Sequence, residues 1–449
     1  MDDVEVVAVG AESVKQNVVR TNWATNIVYS TNVLHEPSSV EEIQELLKSQ
    51  LESVTAVGTG HTFNFIADNL HNRLSLRLLP RVLHLDAPAR TVTVDAGTKY
   101  DELCPFLHRH GFALHNLASL TQLSIAGACS TAVHGSGDQN GSLATAVCAL
   151  ELATANGSLI HLSRHTHGDT FPGAVVGLGA LGVITRITLD IQPAFTIRQF
   201  VYENLPLSQL TENFDAIMSA GYTVSLFTDW QEKRLYQLWI KIRDDAPNPN
   251  FNPDPPSRHP APEIFFGAKL QSENVHLVRG LPAIECTEQM GVPGPSHERL
   301  PHFRPGFMPG VGDELQSEYF LPRRFAVEAI LAVEHLRDEI APVLLESEIR
   351  TVAADDLWLS PCYGRDSVVI HFCWRNNWDA VRRLLPTIER ALAPWDPRPH
   401  WGKLFTMTPH ELQAKYAQMP AFRRLAAACD PTGKFRNAFL NTYVAFDQK

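Results

Sequence analysis

The stretch VGTGHTFN, residues 57–64, directly follows the apolar run SVTAV. The pattern predicts a β-strand that ends at Gly58 and Gly60, just before His61. Glycines at this spacing predict a tight turn whose backbone can approach a ligand closely. The turn is neither a Walker A loop nor a Rossmann fingerprint, because no lysine follows and Phe63 stands where a third glycine would be needed. His61 is therefore either a packed histidine in a structural turn or a reactive ring beside a ligand.

The composition is that of an ordinary globular protein. The chain has 449 residues, of which 44% are hydrophobic and 19% charged, and this length predicts two domains or slightly more. The formal charge of −11 argues against a nucleic-acid or anionic-membrane surface. No apolar run reaches the ~18 residues of a transmembrane helix, and the acidic start MDDVEVVAVG lacks the features of a secretory signal.

The cysteine and histidine pattern gives expectations about compartment and metal. The seven cysteines have no paired spacing, which is typical of reduced thiols in a cytoplasmic protein. The histidines lack a ligand spacing with acids or cysteines, so no metal site is expected. We expect a monomer.

Residues 1–193 have the pattern of a mixed α+β region. Residues 39–50 read as a helix that opens with a capping box, Ser39 to Glu42. Hairpins are predicted for RVLHL with TVTVD, and for AVCALELAT with SLIHLS around Asn156-Gly157. The alternation in VITRITLDI predicts a strand with one buried face. These hairpins argue against a regular βαβ series.

The character of the sequence changes near Pro193. Residues 245–263 contain seven prolines and predict an exposed, polyproline-like loop. Apolar periodicity predicts helices at 323–340 and 378–393, the second kinked at a proline. A further helix begins with the capping box Thr408 to Glu411.

Two more glycine-rich stretches follow the first in chain order. They are ASLTQLSIAGACSTAVHGSG at 118–137 and GLGALGVITRITLDI at 177–191. This order of motifs resembles the vanillyl-alcohol-oxidase-type (PCMH-type) flavoproteins, and within them the alditol (xylitol) oxidases and the related aldonolactone oxidases. The likeness covers nearly the whole chain and includes long blocks, namely TNWATNI (21–27), SLFTDW (225–230), CTEQMGVPGPSHERLPHF (286–303), LQSEYFLP (315–322), EIRTVAADDLWLSPCYGRD (348–366) and RPHWGKLF (398–405).

The resemblance implies an α+β, two-domain PCMH-type FAD-binding fold. Residues 1–20 would be an N-terminal extension, and 21–193 would be the FAD-binding domain built from two α+β subdomains. Residues 194–398 would form a substrate (cap) domain on an antiparallel sheet flanked by helices. Residues 399–449 would return to the FAD domain.

The resemblance also answers the question that His61 raises, because the histidine of this turn is bonded covalently to FAD in the family. Ser119-Leu120 stands where some relatives carry a second, cysteine link, so a single link is expected. Ile184 matches the backbone position that meets the adenine, although a plain core isoleucine fits the pattern equally well. The cofactor-binding residues implied are Val57, Gly58, Thr59, Gly60, His61, Thr62, Ser119, Ser124, Gly127, Thr131, Ala132, Val133, His134 and Ile184.

Two short strands supply candidates for the substrate site. Glu348 and Arg350 are two residues apart and share a face, as do His371 and Cys373. Taken alone, the first pair is typical of a surface ion pair, and His371 of a hydrogen-bonded core histidine. The resemblance instead implies that Glu348, Arg350, Ser119 and Lys403 bind substrate hydroxyls.

Alcohol oxidation assigns roles to these residues. Arg350 and Lys403 would stabilise the alkoxide character of the reacting hydroxyl, and either Lys403 or His371 would take its proton. Cys373 departs from the threonine of the alditol oxidase pattern, and a thiol is a weak donor and acceptor. A weaker or shifted polyol preference is therefore expected.

The sequence thus predicts an FAD-linked alditol oxidase that uses a polyol and O₂. Ala118 matches oxidases rather than dehydrogenases of the family. The alternatives are an aldonolactone oxidase or dehydrogenase and a flavoprotein remnant with a structural or regulatory role. The remnant is disfavoured because Glu348, Arg350, His371 and Lys403 are all present.

Overall fold

A computed structural model of the chain describes residues 4–7, 20–246, 261–307, 312 and 314–446. Most of the predicted N-terminal extension and the centre of the predicted proline-rich loop, 247–260, therefore lie outside the described residues. The part of the extension that is described is the strand Val4–Val7, which pairs with Arg81–Asp86 at the edge of a sheet.

The elements up to Pro193 are short strands, often consecutive, and a smaller number of short helices. The strands are β1 Val4–Val7, β2 Leu34–His35, β3 Val54–Val57, β4 Asn72–Ser75, β5 Arg81–Asp86, β6 Thr91–Asp95, β7 Phe112–Ala113, β8 Val147–Ala153, β9 Leu159–Ser163, β10 Val183–Asp190 and β11 Gln192–Pro193. The helices are α1 Val40–Lys48, α2 Tyr100–Arg109, α3 Ile125–Ser130, α4 Arg164–His167 and α5 Phe171–Val175.

Longer strands dominate the rest of the chain. They are β12 Thr196–Pro206, β13 Thr223–Thr228, β14 Arg234–Arg243, β15 Ile264–Phe265, β16 Ala268–Leu270, β17 Gly294–Pro295, β18 Glu314–Pro322, β19 Leu344–Val352, β20 Ser367–Arg375 and β21 Arg398–Pro399. The helices are α6 Leu207–Met218, α7 Ser296–Arg299, α8 Ala326–Glu334, α9 Arg337–Ile340, α10 Trp378–Leu392, α11 Pro409–Ala414, α12 Met419–Cys429 and α13 Ala438–Tyr443.

Two sheets near the N-terminus surround the glycine turn. In the described part of the chain, β1-β5-β6-β10-β8-β9 form one antiparallel sheet, which contains both predicted hairpins, β5–β6 and β8–β9. A small parallel sheet, β2-β4-β3, lies beside it, and β3 leads directly into the turn at Gly58. The α+β class and the hairpin-rich topology are confirmed.

A large antiparallel sheet follows, and it has two chemically different faces. Its central strands run in the order β14-β13-β19-β20-β18. Because side chains alternate along a strand, one face carries buried apolar residues such as Ile349, Ile370 and Tyr319, which pack against α6, α8 and α10. The opposite face of the same strands carries polar residues. The predicted antiparallel sheet with helices on it is confirmed.

The segment after β21 packs against the first part of the chain. Trp401, Leu412, Phe422 and Leu440 belong to the same apolar core as strands β6, β8 and β10. The Asn437 side chain also donates to the carbonyls of Ile66 and Asp68, at 2.9 and 2.8 Å. The Asn64 side chain, just after the glycine turn, donates to the carbonyls of Trp401 and Lys403 at 2.8 and 2.7 Å, so the loop that carries Lys403 is held beside that turn.

Local predictions had mixed outcomes. The Thr408 capping box is confirmed: its Oγ1 accepts from Glu411 N–H, and the Glu411 carboxylate accepts from Thr408 N–H. Only one of the two hydrogen bonds of the predicted Ser39 capping box is observed. Ser39 Oγ accepts from Glu42 N–H, but the Glu42 carboxylate accepts from Ser38 N–H and not from Ser39 N–H. The single helix predicted at 323–340 is divided into α8 and α9. No helix among the described residues has the length and apolarity that crossing a membrane requires.

Candidate active site

Three neighbouring strands place a grid of polar side chains on the face opposite the helices. Glu318 on β18 lies beside His371 on β20, which in turn lies beside Glu348 on β19. The next row of the grid lies two residues away on each antiparallel strand and contains Gln316, Cys373 and Glu346. The period of two in ELQSE, ESEIR and IHFC therefore becomes two polar rows on one sheet face.

Glu318 is the centre of the charged part of this grid, and it is fully buried. Arg350 Nη2 donates to its Oε1 at 2.7 Å and Lys403 Nζ donates to its Oε2 at 2.8 Å. His134 Nε2 lies 3.4 Å from Oε1. Burial by itself raises the pKa of Glu318, but Lys403, His134 and Arg350 together hold it well below its ordinary value. Glu318 is thus an ionised carboxylate that positions two cations.

Glu348 is held by a second set of partners behind the grid. His302 Nε2 lies 2.9 Å from Glu348 Oε1, and Arg350 Nε lies 3.5 Å from Oε2. Lys241 Nζ lies 3.5 Å from His302 Nδ1 and donates to the carbonyls of Leu300 and Pro301, at 2.5 and 3.1 Å. Burial lowers the pKa of Lys241 to about 7. Donation to Nδ1 leaves the hydrogen of a neutral His302 on Nε2, where it bonds the carboxylate.

His371 differs from Glu318 and Glu348 because its ring has no hydrogen-bond partner. Neither ring nitrogen bonds to any described residue, although the side chain is buried and faces a cavity. Burial, followed by the field of Lys403, holds the pKa of His371 well below its ordinary value. The ring is therefore a neutral imidazole at neutral pH, with an unused acceptor nitrogen.

The glycine turn after β3 brings His61 to the other side of that cavity. Gly60 has a φ of 74°, a left-handed conformation that favours glycine. The His61 ring stacks on Trp23 with centroids 5.2 Å apart, and its Nδ1 lies 2.9 Å from Thr59 Oγ1. Burial, with the charge of Lys99, lowers the pKa of His61 to about 4. A neutral imidazole is the form that can act as a nucleophile.

The loop at 118–137 closes the cavity next to this turn. Ser124 precedes α3, and its hydroxyl occupies the space that two glycines leave open. A Cβ on Gly58 would lie 2.2 Å from Ser124 Oγ, and one on Gly127 would lie 2.8 Å from it. The cavity has a volume of about 620 Å³ and runs from these glycines to the polar grid.

The cavity wall contains every residue that the sequence predicts for cofactor and substrate, apart from one. Ala132 is 1% exposed with a φ of 56°, and it shapes the turn from behind instead of lining the space. Ser119 lines the cavity together with Arg350 and His302. Ile184 lines the end near Gly182, and it also packs at the edge of two apolar clusters.

Several residues of the site were not predicted from the sequence. Glu318 and Gln316 lie in the block 315–322, whose alternating polar residues on a strand were the available signal. Glu346 stands two residues before Glu348, again at strand spacing. No local sequence pattern predicts a role for His302 or Lys241, because they belong to segments that are distant in sequence and meet only in the folded structure.

The cavity has the features of a site for FAD. The Thr62 hydroxyl is buried on its wall and has no hydrogen-bond partner among the described residues, and Gly58 and Gly60 bring backbone without a side chain of their own to the same wall. The family description "FAD binding domain" matches residues 31–163. Cholesterol oxidase from Brevibacterium sterolicum superposes with a TM-score of 0.76 at 14% identity, over 98% of this chain and 100% of that one. The fold and the matched domain define an FAD-binding flavoprotein.

Relatives in sequence narrow the class. The alditol oxidase of a Streptomyces species is 46% identical over 422 residues, which is 94% of this chain and 97% of that protein. The L-gulono-1,4-lactone dehydrogenase of Mycobacterium tuberculosis is 28% identical, over 94% of this chain and 97% of that protein. The description "D-arabinono-1,4-lactone oxidase" matches residues 313–443. The chain belongs to the alditol oxidase family.

Proposed function

We propose that the protein oxidises the terminal primary alcohol of an alditol such as xylitol or sorbitol to an aldehyde, while O₂ is reduced to H₂O₂. The observation that carries the proposal is the Glu318–Arg350–Lys403 cluster, which lies with the unpartnered His371 on the wall of the cavity that also contains His61. The Streptomyces relative is an alditol oxidase, which supports the same chemistry.

FAD is held, in this proposal, by the glycine turn and by the loop at 118–137. Backbone N–H and hydroxyl groups of Gly58–Thr62 and Ser124–His134 would hold its pyrophosphate. When bound, FAD supplies the acceptor for the hydride that leaves the alcohol carbon. The neutral ring of His61 is the point of covalent attachment, since it faces the cavity with a pKa of about 4.

Arg350 and Lys403 hold the reacting hydroxyl. Both cations are already fixed by Glu318, so they lose little freedom when the alcohol binds. As the hydroxyl loses its proton, its oxygen gains negative charge that two nearby cations stabilise. Ser119, Glu348 and Cys373 orient the remaining hydroxyls.

His371 takes the hydroxyl proton. The Lys403 ammonium donates to the Glu318 carboxylate at 2.8 Å, and an ammonium has no acceptor site. The His371 ring is neutral, and neither of its nitrogens has a partner. His371→Gln should lower kcat for xylitol by about a hundredfold or more and leave KM within about twofold. An unchanged kcat in His371→Gln would instead indicate that Lys403 takes the hydroxyl proton.

The remaining expectations are part of the same proposal. Residues 21–193 would form the FAD domain, 194–398 the substrate domain and 399–449 a segment that returns to the FAD domain. Ala118, buried on the cavity wall, would leave the access that an oxidase needs for O₂. The protein would be a cytoplasmic monomer, and its seven cysteines, all in described segments, are free thiols.

The activity is tested by a peroxide assay on the purified flavoprotein. Xylitol, sorbitol, mannitol and glycerol are compared with a 1,4-lactone, and polyol-dependent peroxide is expected. The alternative, an aldonolactone oxidase or dehydrogenase, is suggested by the match at 313–443. It would be favoured by turnover of the lactone without turnover of polyols.

The covalent link is tested separately, by acid precipitation of the same sample. We expect the yellow colour to stay with the precipitate and a flavin-modified peptide that contains His61. His61→Ala should bind flavin without retaining it in acid. Colour that moves into the supernatant of the wild-type protein would contradict the link.

A further inference from the structure

Glu346 is a cavity residue for which the proposed chemistry has no use. It lies on β19 one row beyond Glu348, directly beside Cys373 on β20. The residue is 5% exposed and lines the cavity, and its buried Oε2 has no hydrogen-bond partner in the part of the chain that the structure describes. An unpartnered carboxyl oxygen in a buried site is costly unless a ligand satisfies it.

The backbone directs this side chain towards the cavity. Leu344 pairs with Trp374 and Glu346 with Cys373, so Leu345 is an extra residue in β19. Such a bulge re-aims the side chains next to it, and both Leu345 and Glu346 lie on the cavity wall. Among the described residues, no cation lies within ion-pair distance of Glu346, in contrast to Glu318 and Glu348.

The surroundings favour the neutral carboxyl group. Burial, followed by the charges of Glu348 and Glu314, raises the pKa of Glu346 well above its ordinary value. A protonated carboxyl offers one donor and acceptor capacity as well. A polyol hydroxyl has the same pair of functions, so the two groups are matched partners.

The spacing of the rows gives the distance from the reacting carbon. Two residues along a strand correspond to about 6.8 Å, which separates the Glu318 row from the Glu346 row. An extended carbon chain advances about 1.25 Å per bond. The interval therefore equals about five carbon–carbon bonds, the length between the first and last carbons of a hexitol.

We propose that Glu346 selects the chain length of the substrate by binding the hydroxyl on the fifth or sixth carbon of an alditol whose first hydroxyl lies at Arg350 and Lys403. The polyol chain runs along β19 and β20, from the Glu318 row to the Glu346 row. This inference rests on the proposed polyol oxidation.

The test compares wild type, Glu346→Gln, Glu346→Asp and Glu346→Leu on glycerol, erythritol, xylitol and sorbitol. Glu346→Leu should lower kcat/KM for sorbitol by about tenfold, the value of one hydrogen bond to a buried partner, and leave glycerol within about twofold. Glu346→Gln keeps a donor and an acceptor at the same length, and it should keep the preference for long chains. Glu346→Asp withdraws the carboxyl by one methylene and should weaken xylitol more than sorbitol.

The outcomes separate this inference from the function on which it rests. Wild-type protein that oxidises none of the four polyols contradicts the proposed function. Wild-type turnover with equal losses for every chain length in Glu346→Leu overturns the role of Glu346, as does an unchanged profile. If the leucine variant does not fold, the glutamine and aspartate variants decide the question alone: identical profiles for both and for wild type overturn it.

Discussion

Replacing Glu318 by glutamine should both destabilise the protein and impair catalysis. The carboxylate is fully buried and bonded by Arg350 at 2.7 Å and by Lys403 at 2.8 Å. Glutamine keeps the shape but removes the charge, so it leaves Lys403 without its carboxylate partner and Arg350 with Glu348 alone. Breaking a buried ion pair costs about 3–5 kcal/mol, so we expect the free energy of unfolding to fall by about that amount.

Glu389→Gln is a matched control on α10, which packs against the other face of the same sheet. Glu389 is also buried, but its partners are uncharged: Tyr319 Oη at 2.9 Å, Thr406 N at 2.7 Å and Thr406 Oγ1 at 2.6 Å. Removing neutral hydrogen bonds costs about 1–2 kcal/mol. The assay is urea unfolding at pH 7, followed by intrinsic fluorescence, with kcat/KM for xylitol measured in parallel.

The two carboxyl groups should also differ in the sign of their pH dependence. The pKa of Glu318 is lowered in the folded protein, so its stabilisation is complete above the unfolded value of 4.5 and is lost as the pH falls below it. The pKa of Glu389 is raised, chiefly by burial, so its contribution is largest below 4.5 and declines as the pH rises through the raised pKa. The stability gap between wild type and Glu318→Gln should therefore narrow at low pH, whereas the gap for Glu389→Gln should widen.

Activity completes the comparison. Glu318→Gln should lower kcat/KM by about a hundredfold, because Arg350 and Lys403 lose the group that positions them. Glu389→Gln should stay close to wild type. Equal stability losses in the two variants, with kcat/KM intact in Glu318→Gln, would refute the assignment of Glu318 as the residue that positions both cations.

Three further substitutions test other parts of the site. Lys241 has a folded pKa of about 7, below its unfolded value of 10.5. Between these two values the unfolded chain binds more protons, so the free energy of unfolding should rise with pH. Lys241→Met should flatten that rise in urea unfolding, and an unchanged slope would contradict the lowered pKa of Lys241. Gly58→Ala would place a Cβ 2.2 Å from Ser124 Oγ and should reduce the flavin content measured by absorbance. Adding Ser124→Gly should restore part of that flavin content. Full flavin content in the single variant would show that the turn tolerates a side chain at position 58. Cys373→Thr adds a competent hydroxyl beside Glu346 and should change kcat/KM across xylitol, sorbitol and mannitol, whereas identical constants for all three would exclude a role for the thiol in selectivity.

Local sequence patterns predicted much of the fold. Alternation in VITRITLDI, the Asn156-Gly157 turn and the Thr408 capping box each correspond to observed elements. These features depend on neighbours in sequence, so the sequence carries them directly. The division of 323–340 into two helices and the use of Glu42 to bond Ser38 depend on local geometry that periodicity does not record.

The candidate site was predictable only in part, for a related reason. Glu348, Arg350, His371 and Cys373 stand at strand spacing, and the family resemblance gave them roles. Glu318 has the same spacing but becomes the centre of the site only because β18 pairs with β20. Lys241 and His302 come from a strand and a loop about 60 residues apart in sequence and meet across 3.5 Å. Such contacts follow from the tertiary fold and leave no pattern in the chain.

The central claim is that a polyol bound at Arg350 and Lys403 transfers its hydride to a flavin held by the His61 turn. Mixing the purified yellow protein with xylitol in the absence of oxygen tests it most directly. We predict that the flavin absorbance bleaches on mixing and returns when oxygen is admitted, with peroxide formed in equal amount. A flavin that stays oxidised with xylitol and sorbitol, but bleaches with a 1,4-lactone, would contradict the account.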